Sequence, residues 1–190
     1  FVPVAGFATF VNAVALSGGT PARDLKAWVD GVKAAGGKAT MGIPAPASTP
    51  QFAVQVIGQR FGLDLVAAPY RGSAPMMADM LGNTIPAGVG SVPDFIENHK
   101  AGKLRVVAVM GTQRQAALPD VPTFAEAGWW KIDFAAWFAV FVPAGTPDAV
   151  ANALNRHVVA AVQAPEVKQK LQEAGFTVLG ELGLDGSIAP

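Results

Sequence analysis

The chain has 190 residues, 51% of them hydrophobic and 15% charged, enough for one or two small α/β domains with a real core and unlike a disordered chain. Fourteen basic and fourteen acidic residues leave a net charge of +0, which argues against nucleic acid or an anionic membrane as the main partner. The absence of cysteine excludes disulfide scaffolds and thiolate metal sites, and no run is long and apolar enough to span a bilayer, Phe134 to Val142 coming closest.

The chain begins at Phe1 inside apolar sequence, which reads as a clipped or processed N-terminus from which a native signal peptide could have been removed. Phe1 to Leu16 reads as extended. Thr20-Pro21 gives a cap followed by proline at the first helical position, and Leu25, Trp28, Val29 and Val32 predict a helix over 21–34, stopped by Gly36-Gly37. A strand over 38–43 precedes a helix opened by Ser48, with Phe52, Val56 and Ile57 on its buried face and Gly62 as its stop. Leu63 to Ala68 is the next strand. Ser73 starts a helix carrying Met76, Met77, Met80 and Leu81. Ile85 to Val89 is a strand, Ser91 to Ala101 a helix, and Leu104 to Met110 a β-branched strand. Alternation of this kind indicates βαβ units and a mainly parallel sheet. Ala117 to Thr123 is a proline-punctuated turn that feeds a short helix ending at Gly128. Ala135 to Val142 is an apolar strand. Helices over 147–163 and 165–174 follow, the first with Val150, Leu154, Val158 and Ala161 on one face, and the tail from Gly180 is glycine-rich.

One construction occurs three times: a strand, a loop of small residues, then a serine at a helix start. It stands at Gly42 to Ser48, Pro69 to Ser73 and Gly88 to Ser91. Each serine is placed to cap its helix, where unpaired N–H groups and the positive end of the helix dipole attract anions. In an open α/β sheet such loops collect past the carboxyl ends of the strands. Three together point to a site for a small anion, a carboxylate, and not to catalysis. Arg71 offers a planar fork matched to a carboxylate, and Tyr70 beside it either lines a cleft or finishes a strand. Gly88-Val89-Gly90 starts like a dinucleotide fingerprint but fails at Pro93, so no nucleotide cofactor is expected. His99 lies near a helix C-terminus, where a cation suits the dipole, and His157 falls within a helix. Neither pairs with a carboxylate at metal-ligand spacing, so no metal site is expected. Trp129, Trp130 and Trp137 read as core or inter-lobe packing rather than a stacking platform.

From Leu118-Pro119-Asp120-Val121-Pro122-Thr123 through Ala125-Glu126-Ala127-Gly128 to Pro143-Ala144-Gly145-Thr146-Pro147, the chain resembles a known family. Pro69 to Pro75 and Lys100 to Arg105 join the match. The family is that of the extracytoplasmic solute receptors of tripartite tricarboxylate transporters, the Bug receptors. The resemblance implies an α/β fold of the periplasmic binding-protein type: one complete lobe, a mainly parallel sheet flanked by helices, over 12–131, and an incomplete second lobe from 1–11 and 132–190. It implies a periplasmic receptor, without catalysis or cofactor, that captures a small organic carboxylate for the membrane components of a transporter. Ala47, Ser48 and Thr49 match the loop that holds the carboxylate, Tyr70, Arg71, Gly72 and Ser73 its neighbour, and Gly90 and Ser91 a loop at the ligand's distal end.

The chain departs from the family's pattern in three ways. Pro44 and Pro46 stand in a loop that is glycine-rich in relatives and remove N–H donors. Gly90 replaces an aspartate common in relatives, which favours a plain carboxylic acid over an amino acid. An N-terminal segment that builds half of one lobe in relatives is not in the sequence, so weak binding, and self-association through exposed strands, are expected. Restoring that segment is expected to give micromolar or tighter carboxylate binding. Two rivals fit the same residues: an effector-binding domain of a transcriptional regulator, and a serine hydrolase using Ser48 or Ser73, although no Gly-x-Ser-x-Gly elbow is present.

Overall fold

The structure, a computed structural model, describes residues 1–132 and 135–179. Its elements are β1 (Val2–Ser17), α1 (Leu25–Ala34), β2 (Lys38–Ile43), α2 (Thr49–Phe61), β3 (Asp64–Pro69), α3 (Ser73–Leu81), β4 (Ala87–Ser91), α4 (Val92–Lys100), β5 (Leu104–Val109), β6 (Ala135–Val142), α5 (Asp148–Gln163), α6 (Pro165–Glu173) and β7 (Thr177–Val178). The glycine-rich tail from Gly180 lies outside the described residues.

The chain divides into two compact units, Val11–Phe134 and a second made of Phe1–Phe10 with the chain from Ala135 onward. In the larger unit the strand order is β3-β2-β4-β1-β5. β2 pairs parallel with β3 and β4, while β1 pairs antiparallel with β4 and β5. Four of the five strands therefore run one way, and β1 alone opposes them.

Alternation along the strands makes two cores. Val14 and Leu16 of β1, Met41 and Ile43 of β2, and Ala87 and Val89 of β4 pack against α1 and α2. The intervening Ala13 and Ala15 face α3 and α4, where Met76, Met80 and Phe95 are fully buried. Small residues on this second face admit the helices closely. A Cβ on Gly42 would lie 2.6 Å from Ile85 Cδ1 and 2.9 Å from Met76 Cγ, and one on Gly88 would lie 2.8 Å from Met80 Sδ. Close helix approach is thus written into the glycines of β2 and β4.

Several expected details differ. α1 starts at Leu25, capped by Asp24, whose carboxylate accepts from Ala27 N–H at 2.7 Å. Thr20 lies five residues upstream of this start, where its hydroxyl donates to Pro86 O and its N–H to Ser17 O. Phe52 is 55% exposed, and α2 instead buries Ala53, Val54, Ile57 and Phe61. The short helix before Gly128 is a turn, held by reciprocal bonds between Thr123 and Glu126 and by Arg114 on Glu126. Trp129 and Trp130 pack on Phe61 as expected, at 4.3 and 5.3 Å between ring centroids.

In the smaller unit, β1 pairs with β6 and with β7. Its buried core is small: Val4, Ala5, Val142 and Ala151. α5 buries only Ala151 and α6 nothing, so Val150 and Leu154 stay partly exposed rather than forming a core face. Trp137 is 49% exposed and so is not a core residue; its ring lies 6.2 Å from that of Phe141.

Candidate functional site

Because β3, β2 and β4 are parallel neighbours, the chain leaves all three at one edge of the sheet, and α2, α3 and α4 begin there. Hydrogen bonds join the three starts. Gly72 N–H donates to Pro44 O at 2.8 Å, linking the second loop to the first. Ser73 Oγ donates to Asp94 Oδ2 at 2.8 Å and Ser91 Oγ donates to the same oxygen at 2.5 Å, linking the second to the third. Asn12, buried in β1 and paired with Ser91, donates from Nδ2 to Thr49 Oγ1 at 2.9 Å, which returns to the first. Ser48, Ser73 and Ser91 thus share one rim.

The serines do not cap by side chain. Ser48 holds the cap position of α2, but its hydroxyl donates back to Ala45 O at 2.6 Å. Ser73 is the first residue of α3, with Gly72 in the cap position at φ 108°, and Ser91 spends its proton on Asp94. The consequence favours a ligand. Among the described residues the N–H groups of Ser48 and Thr49 meet no protein acceptor, so the first turn of α2 keeps free donors and carries no acidic residue. Each of the three helices has proline in its first turn (Pro50, Pro75, Pro93), where its missing N–H breaks no bond.

Ala47 is left-handed at φ 52°, a strained conformation for a residue with a Cβ, and its N–H donates to Gln51 Oε1 at 2.7 Å. Arg71 is exposed on the second loop and makes no ion pair among the described residues. Tyr70 turns its hydroxyl away from the loop, donating to Asp79 Oδ2 at 2.6 Å, and burial with this bond pushes its phenol up to about 12. Gly90 is buried beneath Phe95 and Met76, 3.1 and 3.2 Å from where its Cβ would be, so it is small for packing reasons. His99 is a correction. It does not serve as a cation at the end of α4; its Nδ1 accepts from Val106 N–H at 3.0 Å, and burial followed by Arg105 lowers its pKa.

Asn12, Gln51, Asp79 and Asp94 escaped the sequence reading. A signal existed for two of them, since Ser48-x-x-Gln51 and Ser91-x-x-Asp94 both follow the capping-box spacing. No group of three or more His, Cys, Asp or Glu fit to hold a metal occurs among the described residues, and none of their serine hydroxyls bonds a histidine. No helix among them is long and apolar enough to cross a membrane.

Comparison with known proteins gives the family and the fold. The family described as "Tripartite tricarboxylate transporter family receptor" matches residues 2–181. BugT of Bordetella pertussis is 31% identical over 153 residues, 80% of this chain and 47% of its own length. A solved structure described as a periplasmic transporter is 33% identical with a TM-score of 0.88, over 95% of this chain and 60% of that one. An R. palustris protein solved with adipate is 28% identical with a TM-score of 0.88, over 94% and 60%. This chain therefore spans about half the length of BugT and 60% of those solved structures. The fold is that of periplasmic binding proteins, and by a match along nearly its whole length the chain belongs to the receptor family of the tripartite tricarboxylate transporters.

Proposed function

We propose that this chain is part of a periplasmic solute receptor that captures a small organic carboxylate and delivers it to the membrane components of a tripartite transporter. The observation that carries the reading is the rim itself. The free N–H groups of Ser48 and Thr49 at the start of α2, and the unpaired Arg71 on the neighbouring loop, offer donors and positive potential to one carboxylate. Ala47, Ser48, Thr49 and Arg71 are its contacts in this reading. Gly72, Ser73 and Ser91 shape the rim, while Tyr70 and Gly90 hold its backbone in place. The adipate in the R. palustris relative supports the ligand class. Val11–Phe134 corresponds in this reading to the complete lobe, and the other unit to part of a second. The open edge of β6 favours pairing with a second copy.

Titration calorimetry against a panel of small mono-, di- and hydroxy-acids tests the proposal. Saturable heat with a subset of acids is expected, weak because the chain spans only part of its relatives' length. A silent panel combined with phosphonate labelling of Ser48 or Ser73 would turn the reading to a hydrolase.

A further inference from the structure

We propose that Asp94 is a specificity-determining residue of this rim. It selects organic acids whose far end is a hydrogen-bond donor, a hydroxyl or an ammonium, over acids with a second carboxylate there. The inference rests on the carboxylate-receptor reading above. Asp94 stands in the first turn of α4, half-buried, and both of its hydrogen bonds fall on Oδ2. A hydroxyl has one proton, and Ser73 and Ser91 each spend theirs on that oxygen. The side chains of this corner therefore offer acceptors: the lone pairs of two hydroxyls and Asp94 Oδ1, which has no partner among the described residues.

The α2 corner is the opposite. Ser48 and Thr49 offer N–H groups, and Thr49 Oγ1, which already accepts from Asn12, retains a proton to donate. α2 has no acidic residue in its first turn, whereas the starts of α3 and α4 already face the carboxylate of Asp94. A carboxylate is thus drawn to α2, and the rest of the ligand reaches toward acceptors. A second carboxylate there would meet the like charge of Asp94 beside the N–H groups that open α3 and α4, whereas a hydroxyl or ammonium would find acceptors.

The test uses the chain as it stands and four acids of one length: butyrate, succinate, 4-hydroxybutyrate and 4-aminobutyrate. Dissociation constants are read from amide shifts of residues 47–49. The hydroxy or amino acid should bind at least about tenfold more tightly than succinate, and Asp94→Asn should bring the two within about threefold. Succinate binding as well as or better than both donor-bearing acids overturns the proposal without any variant, so it survives a poorly folding Asp94→Asn. An unchanged ratio in a folded Asp94→Asn overturns it too. If none of the four acids moves these amides, the receptor reading itself fails and the role of Asp94 falls with it.

Discussion

His99 shows how one contact decides a charge. Its Nδ1 accepts Val106 N–H, a bond only the unprotonated nitrogen can make, and burial holds the pKa below the ordinary 6.5. The folded state therefore binds this proton less readily than the unfolded chain. The contribution of His99 to stability is present above about pH 6.5 and lost as pH falls through the lowered value. Urea melts between about pH 8 and about pH 5 should show an acid limb that His99→Gln flattens; an unchanged limb contradicts the assignment. Glycines make a second prediction at this scale. Gly42→Ala meets the body of Met76 as well as Ile85, whereas Gly88→Ala meets first the flexible sulfur of Met80. Overpacking of this kind costs about 1–3 kcal/mol, and Gly42→Ala should sit at the upper end with Gly88→Ala below it in denaturant melts. Equal costs would mean that the α3 face is looser than described.

Strands β2, β3 and β5 were legible almost to the residue, because β-branched or alternating runs are bounded there by glycine or proline. Helix starts were legible to within a few residues, but their chemistry was not. Serine before a helix reads as a cap, yet the hydroxyls of Ser73 and Ser91 go to a carboxylate that serves two helices at once. The Ser73–Asp94 and Asn12–Thr49 bonds span 21 and 37 positions, and no local pattern encodes a partner at that range. Phe52 failed for a related reason: helical spacing fits two faces of α2, and packing against the sheet chose the one with Ala53 and Ile57. β6 carries its own prediction. Its eight residues hold no charge and no proline, Trp137, Phe138 and Phe141 are each more than 40% exposed, and among the described residues the strand pairs with β1 alone. Such an edge is complementary to its own copy run antiparallel. Light scattering should give a mass above 19.5 kDa that rises with concentration and falls back in Phe141→Lys; a monomeric mass at all concentrations would count against it.

At the scale of the molecule, the two units differ in how much they bury. Val11–Phe134 packs helices on both faces of its sheet, whereas the other unit has among its described residues only a small buried cluster around Val4, Ala5, Val142 and Ala151 and leaves α6 without a buried side chain. Amides of α5 and α6 should therefore exchange with deuterium well before those of β2 and β4; uniform protection would contradict this division. The carboxylate site proposed here lies wholly within the better-packed unit, so weak binding should be measurable on this chain. The most direct test is an NMR titration with small organic acids. Saturable shifts confined to the amides of residues 47–49, 71–74, 91, 92 and 94 are predicted, since these line the rim where α2, α3 and α4 begin. No shift at the highest acid concentration, or shifts centred elsewhere in the chain, would contradict the account.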